Sequence, residues 1–307
     1  MIKNCNFDKY PQLNKPFKII AFDWDGTAVA NRKADASQVT EKLEELLNLG
    51  VYIAVITGTN FQNIDSQFSS LIEGKHKQRL FICANRGSEV YNFDAESNSV
   101  LKYRYEASVQ ENVLLDKIVE KTKQKIENTS AVKVEVIYDR LNRRKLDLIP
   151  EWKDPQKSEI DELLAKTQEK LEKGCFAGGI QKAFKLMQDI AKISALTKAK
   201  ITTDVKHIEV GLTDKSDSIK WILDNIAIKN NISNKDILIS GDEFGSIGGF
   251  EGSDHRMILE NALDITYFSV GIEPNGISEP VLHLGGGPEC FIKLIEKQIY
   301  LNTGTKI

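Results

Sequence analysis

The chain has 307 residues, of which 41% are hydrophobic and 28% are charged, and its formal net charge at pH 7 is −3. This is an ordinary soluble composition of about two domains, and its charge supplies no field that would attract nucleic acid or an anionic membrane. No apolar run reaches the roughly 18 residues that a membrane-spanning helix requires, and residues 1–6 lack the apolar stretch of a signal peptide. We therefore expect a cytoplasmic protein that binds neither nucleic acid nor membrane.

The cysteines are few and scattered. They stand at four distant positions without a C-x-x-C spacing, namely Cys5, Cys83, Cys175 and Cys290. This distribution predicts reduced, mostly buried thiols rather than a disulfide framework or a zinc site.

Apolar strands alternate with amphipathic helices along the first part of the chain. Continuous apolar runs predict strands at 18–22, 51–56 and 80–84. Between them, apolar residues recur at helical spacing, first after Ser37 and then from Phe61. Continuously apolar strands separated by helices are typical of a parallel sheet covered on both faces. The pattern predicts an α/β fold with a doubly wound, Rossmann-like parallel core.

The pattern changes after residue 87 and returns near residue 206. Alternating strands are predicted within 89–105 and at 132–138, with helices at 110–128 and in the segments that follow. Apolar strands at 236–240 and 265–270 then resume the parallel sheet. We predict a core domain of residues 1–87 and 206–307, with an inserted α+β cap domain of residues 88–205.

Polar side chains stand where the predicted core strands end. Asp23 and Asp25 close the first strand, and residues two apart on a strand point to the same side. Two neighbouring carboxylates repel each other unless a cation or a shared proton relieves them, and Mg²⁺ suits such oxygen ligands. The alternative is an Asx turn, for which Asp-x-Asp-Gly is favourable chemistry. Thr57, Asn85 and Asp242 follow other strands, at the sheet edge where doubly wound folds bind ligands.

These residues resemble the motifs of the haloacid dehalogenase (HAD) superfamily of phosphotransferases. The four motifs are matched in order by Asp23-Trp24-Asp25-Gly26-Thr27, by Thr57-Gly58, by Lys215 and by Gly241-Asp242. The insertion between the second and third motifs is similar to the C2-type cap of the Cof-like phosphatases of subfamily IIB, which include sucrose- and trehalose-phosphate phosphatases. Ala84-Asn85-Arg86-Gly87 resembles the Asn-Gly start of that cap. Lys220 is the alternative to Lys215 as the third motif.

The resemblance implies a Mg²⁺-dependent phosphate monoester hydrolase that acts on a sugar phosphate or a similar small phosphorylated metabolite. Asp23 would be the nucleophile and Asp25 the general acid and base. Lys215 would neutralise phosphate charge. The implied phosphate-binding residues are Thr57 together with Gly26, Thr27, Gly58 and Asn60, and the implied metal ligands are Asp23, Asp25, Asp242 and Asp254.

The fourth motif departs from the family pattern Gly-Asp-x-x-Asn-Asp. Ser246 occupies the position of the second acid, and the next aspartate, Asp254, follows a glycine-rich stretch. We expect an elongated loop that brings Asp254 back to the metal, directly or through water, with Glu243 as the competing ligand.

Substrate contacts are expected at the start of the cap and within it. Asn85 and Arg86 are candidates there, as are Arg143 and Arg144, which belong to a basic cluster with Arg140 and Lys145. That cluster is either a solvated strand edge or a surface that closes over the substrate. The altered fourth motif keeps two other functions open, a sugar phosphomutase and a non-catalytic protein that binds a phosphorylated metabolite. The sequence does not predict an oligomeric state.

Overall fold

The computed structural model describes residues 5–153, 155, 159–273 and 276–304. The chain forms two compact units. The first unit comprises Met1–Arg104, Lys215–Ser246 and Glu251–Ile307, and the second comprises Tyr105–Asp214 and Ile247–Phe250.

The first part of the chain alternates strands and helices before a hairpin. Its elements are β1 (Ile19–Asp23), α1 (Ser37–Asn48), β2 (Tyr52–Ile56), α2 (Phe61–Gln67), β3 (Leu80–Ala84), β4 (Glu89–Phe93) and β5 (Ser99–Arg104). The middle part contains α3 (Val109–Thr129), β6 (Glu135–Arg140), β7 (Arg143–Asp147), α4 (Ile160–Lys173), α5 (Gly179–Ile193), β8 (Lys200–Thr203) and β9 (His207–Gly211). The last part contains α6 (Lys215–Ile222), β10 (Ile237–Gly241), β11 (Ser246–Ile247), β12 (Phe250–Glu251), β13 (Thr266–Ser269), β14 (Val281–His283) and α7 (Gly287–Thr303).

An eight-stranded sheet forms the centre of the first unit. Its strand order is β14-β13-β10-β1-β2-β3-β4-β5, and the pairings from β14 through β3 are parallel. All five residues of β1 are buried, as expected for a strand covered on both faces. The predicted apolar face of α1 is buried as well, at Val39, Leu43, Leu46 and Leu47. The predicted α/β fold with a doubly wound parallel core is confirmed.

The hairpin of β4 and β5 lies in a different unit from the one expected. The sequence places residues 88–105 in the cap, whereas β4 pairs antiparallel with β3 and extends the sheet of the first unit. At the other end, β9 begins at His207 and pairs within the second unit. The chain therefore passes from one unit to the other after Arg104 and after Asp214.

The second unit is an α+β unit with its own core. Its four-stranded sheet is antiparallel in the order β6-β7-β9-β8, and α3 packs against α5 and β7. A capping box between Ser108 and Glu111 starts α3. The four residues 247–250 also belong to this unit, where the ring of Phe250 lies 5.0 Å from that of Phe184.

The prediction of reduced cysteines is wrong for Cys5 and Cys290. Cys5 and Cys290 form a disulfide with a Cα–Cα distance of 5.7 Å, within the usual range. They are 285 residues apart, and no spacing rule can pair residues so distant. Cys83 is buried as expected, but Cys175 is exposed.

In the described part of the chain, no helix has the combination of length and apolar character needed to cross a membrane.

Candidate active site

The topology of the first unit brings the predicted motifs to one edge of its sheet. β1 lies between β10 and β2, and all three strands run parallel. Asp23 ends β1, Thr57 follows β2, and Gly241 ends β10 immediately before Asp242. Parallel strands end at the same edge, so residues far apart in the sequence meet there.

Lys215 bridges two buried carboxylates at this edge. Its Nζ lies 2.7 Å from Oδ1 of Asp23 and 2.5 Å from Oδ1 of Asp254. The ammonium group also donates to Oγ of Ser253 at 3.1 Å. Lys220, the alternative third-motif lysine, is exposed. The lysine at the start of α6 is therefore the one that the fold places between the first and fourth motifs.

The environment of Lys215 favours its charged form. Burial alone lowers the pKa of its ammonium group, but the carboxylates of Asp23, Asp254 and Glu243 outweigh that effect and raise the pKa above the ordinary value. The lysine is thus a fixed positive charge beside Asp23 at physiological pH.

Three carboxylates lie close enough together to share a cation. Asp23, Asp242 and Asp254 each offer an oxygen, and these oxygens all lie within 4.8 Å of one another. Carboxylate oxygens are the ligands that Mg²⁺ prefers, so the chemistry of this set fits the expected metal. Glu243, the competing ligand, accepts a hydrogen bond from Oγ of Ser253 at 2.8 Å.

The loop after β10 places Asp254 beside Asp242 despite the twelve-residue separation. Oδ2 of Asp254 accepts hydrogen bonds from the backbone N–H groups of Asp242 and Glu243, each at 2.9 Å. Gly241 allows this approach, because a Cβ on Gly241 would lie 2.4 Å from Oδ2 of Asp254. Asp254 is fully buried. The elongated loop thus returns Asp254 to the edge where Asp23 lies, as the sequence hypothesis requires.

In the turn after Asp23, two polar groups that could contact a ligand form hydrogen bonds within the protein. Gly26 has a positive φ of 92°, and its N–H donates to the carbonyl of Val29 at 2.7 Å. The hydroxyl of Thr27 donates to Oδ1 of Asp242 at 3.0 Å. Asp25 is partly exposed, with Oδ2 3.5 Å from Nε of Arg32. Thr27 therefore connects the first and fourth motifs, a contact that the sequence does not predict.

The second motif lies beside the strained start of the hairpin. Thr57 is buried, and its Oγ1 accepts from the N–H of Thr59 at 3.2 Å. Asn85 and Arg86 have φ values of 51° and 55°, which is costly for residues other than glycine. The N–H of Arg86 donates to the carbonyl of Thr57 at 3.0 Å. A Cβ on Gly58 would lie 3.7 Å from Nε of Arg86, so this side chain lies alongside the Gly58 backbone.

Two residues with predicted ligand roles, Asn60 and Asn85, also have local hydrogen-bond partners. Oδ1 of Asn60 accepts from the N–H of Asn63 at 3.0 Å, which makes Asn60 the N-cap of α2. The side-chain amide of Asn85 donates to Glu89 at 2.7 Å. These bonds engage Oδ1 of Asn60 and the NH₂ group of Asn85.

The basic cluster of the second unit is not a solvated strand edge. Arg143 and Arg144 are both buried, and their strand β7 lies between β6 and β9. Nε of Arg144 lies 2.5 Å from Oδ1 of Asp116. Nζ of Lys145 lies 2.6 Å from Oε1 of Glu209. Nη1 of Arg143 lies 3.8 Å from Oε2 of the same glutamate. The basic charges are matched by carboxylates on neighbouring elements that the local sequence does not reveal.

Comparison with known proteins gives structural neighbours only. The sequence matches no protein-family model and no curated protein. The structure is similar to an IMP-bound IMP-nucleotidase from Plasmodium falciparum, with a TM-score of 0.58 at 12% identity, over 93% of this chain and 69% of that one. It is also similar to a trehalose-6-phosphate phosphatase from Aspergillus fumigatus, with a TM-score of 0.57 at 15% identity, over 96% of both chains. The likeness shows that this chain shares the fold of these two proteins, as the predicted α/β core requires.

Proposed function

We propose that this protein is a Mg²⁺-dependent phosphatase that hydrolyses a phosphate monoester of a small metabolite through an aspartyl-phosphate on Asp23. The observation that carries the proposal is the arrangement around Asp23. This carboxylate lies 2.7 Å from the ammonium group of Lys215 and shares a cluster with Asp242 and Asp254. A carboxylate between a fixed cation and a cation-binding cluster suits phosphoryl transfer, which depends mainly on positioning and charge neutralisation.

The residues at the strand ends divide between holding a metal and holding the phosphoryl group. Asp23, Asp242 and Asp254 would hold Mg²⁺, with the carbonyl of Asp25. The bound ion would neutralise charge on the phosphoryl oxygens. Lys215 would hold Asp23 in place and add a second positive charge at the same oxygens. We assign the third carboxylate to Asp254 rather than Glu243, because Asp254 offers an oxygen within 4.8 Å of those of Asp23 and Asp242.

The proposed reaction proceeds in two displacements. A carboxylate oxygen of Asp23 attacks phosphorus while the bond from phosphorus to the ester oxygen breaks, and Asp25 donates a proton to the leaving alcohol. Asp25 then takes a proton from the water that attacks the aspartyl-phosphate, which releases phosphate and regenerates Asp23. Such acid–base assistance typically contributes about 10²–10⁴-fold. The partial exposure of Asp25 is compatible with a group that exchanges protons with substrate and water.

We propose a sugar phosphate as the substrate class. The motif resemblance favours it, and a trehalose-6-phosphate phosphatase aligns over 96% of both chains. The likeness to an IMP-nucleotidase makes nucleoside monophosphates the class to compare. Arg86 is the candidate for an additional contact with the phosphoryl group, because it lies alongside Gly58 of the second motif.

The test is phosphate release from a panel of sugar phosphates and nucleoside monophosphates, measured with Mg²⁺ and with EDTA. The panel includes trehalose 6-phosphate and IMP. We expect Mg²⁺-dependent release that Asp23→Asn abolishes and that Asp264→Asn, at an exposed aspartate, leaves unchanged. Folded wild-type protein that releases no phosphate from any member would refute the proposal. Isomer formation stimulated by a sugar bisphosphate would favour a mutase instead.

A further inference from the structure

A buried glutamate outside all four motifs holds the loop that carries Asp242. Glu273 follows β13, and only 8% of its surface is exposed. Its Oε1 accepts from the N–H of Phe244 at 3.0 Å and from the hydroxyl of Ser269 at 2.7 Å. Its Oε2 accepts from the N–H of Gly245 at 2.6 Å. Both oxygens are therefore engaged, two of the three bonds being made to the backbone of the fourth-motif loop.

The bonds of Glu273 complete a pattern that Asp254 begins. The N–H groups of Asp242 and Glu243 donate to Asp254, and those of Phe244 and Gly245 donate to Glu273. Four successive backbone donors thus end on two buried carboxylates. Hydrogen bonds to ionised acceptors are about twice as strong as those between neutral groups. The backbone of residues 242–245 is consequently held at both of its ends.

Two glycines make room for this arrangement. A Cβ on Gly245 would lie 2.1 Å from Oε2 of Glu273. A Cβ on Gly271 would lie 2.0 Å from the carbonyl oxygen of Asp242 and 3.0 Å from Oε1 of Glu273. The loop after Asp242 and the segment that bears Glu273 therefore approach more closely than side chains at these positions would allow.

We propose that Glu273 is a positioning residue for the metal site, which fixes the Asp242 loop and thereby sets the affinity for Mg²⁺. This inference rests on the proposed function. The hydrogen bonds of Glu273 reach the backbone next to Asp242, so it acts on the predicted ligands through that backbone. Partners that orient metal ligands typically contribute about 10–100-fold to metal affinity. Without Glu273, the amides of Phe244 and Gly245 lose their acceptor, and the loop is held less firmly, although Asp254 and Thr27 still bond to Asp242.

The test is Mg²⁺ binding by isothermal titration calorimetry to the full chain and to Glu273→Gln, with no substrate present. The glutamine keeps the shape of the side chain but replaces one accepting oxygen by an NH₂ group, which cannot accept from a backbone N–H. We expect the variant to bind Mg²⁺ about tenfold more weakly or worse. Glu260→Gln, at an exposed glutamate, is the matched control and should bind as the wild type does.

The outcomes separate this inference from the proposed function. If the wild type and Glu273→Gln bind Mg²⁺ with equal affinity, the inference is overturned and the proposed function is not. This holds even if the variant melts at a lower temperature. A wild-type protein that neither binds Mg²⁺ nor releases phosphate would overturn both. If Glu273→Gln does not fold, Ser269→Ala removes the third hydrogen bond of Glu273, together with the bond that Ser269 accepts from the N–H of Gly271 at 3.1 Å, and keeps both bonds from Glu273 to the loop backbone. This milder variant should weaken Mg²⁺ binding by a smaller factor, and unchanged binding would count against the proposal.

Discussion

Asp254 is the residue whose replacement tests the site most directly. The variant Asp254→Asn keeps the volume of the side chain and removes its charge. In the wild type, Oδ1 pairs with Lys215 at 2.5 Å while Oδ2 accepts from two backbone N–H groups. The asparagine has one accepting oxygen, so its NH₂ group must face either Lys215 or those two donors.

The expected loss can be worked from these contacts. Breaking one side of a buried ion pair costs about 3–5 kcal/mol, because the other charge stays buried. Asp23 still pairs with Lys215 at 2.7 Å in the variant, so the loss should fall near the lower end of that range. We therefore expect the free energy of unfolding of the first unit to fall by about 3 kcal/mol at pH 7.

Urea unfolding followed by tryptophan fluorescence measures this loss. In a Trp152→Phe background, the remaining tryptophans, Trp24 and Trp221, both belong to the first unit, so the signal reports that unit alone. Asp264→Asn in the same background is the control and should change the free energy by under about 0.5 kcal/mol. A loss of under about 1 kcal/mol for Asp254→Asn, the size typical of an exposed ion pair, would refute the buried network.

Three further predictions concern single groups of the first unit and the free thiols. Gly241→Ala should destabilise the first unit by about 1–3 kcal/mol in the same urea assay, because its Cβ would lie 2.4 Å from Oδ2 of Asp254. In the native protein at pH 8, a thiol reagent should label the exposed Cys175 quickly and Cys83 only after unfolding, since burial raises the pKa of Cys83 to about 12. The folded state raises the pKa of Lys215, so the stability that its charge contributes is complete below the ordinary value of 10.5 and is lost as the pH rises above it. The difference in unfolding free energy between the wild type and Lys215→Met should accordingly be constant from pH 7 to about 10 and shrink above that.

The core of the first unit could be predicted from the sequence because its signals are local. Buried parallel strands are continuously apolar, and β1, β2, β3 and β10 each follow that rule. The chemistry-bearing residues stand next to those strands in the sequence, so the fold alone decides that they meet. This is why the sequence by itself predicts that Asp23, Thr57 and Asp242 lie at one edge of a sheet.

The features that the sequence does not predict all depend on distant partners. An alternating strand indicates one solvated face, but it does not say which sheet the strand joins, and for that reason the pattern places β4 and β5 in the cap. Arg143 and Arg144 resemble a basic surface until the carboxylates of neighbouring elements are seen beside them. Glu273 accepts hydrogen bonds from the backbone N–H groups of Phe244 and Gly245. Because every residue except proline has such a donor, the residue types at these positions do not reveal the contact.

The altered fourth motif shows how an acid can return to a site from farther along the chain. The N–H of Gly252 donates to the carbonyl of Gly245 at 3.1 Å, and that of Asp254 donates to the carbonyl of Glu243 at 3.0 Å. These bonds join the two ends of the loop, and residues 246–251 form the part of the loop between them. A Cβ on Gly252 would lie 2.1 Å from the carbonyl oxygen of Glu243. This explains why a glycine stands where the two ends of the loop approach each other. Because these two hydrogen bonds join the two ends of the loop, they fix the position of Asp254. That position therefore does not depend on the number of residues between Asp254 and Asp242.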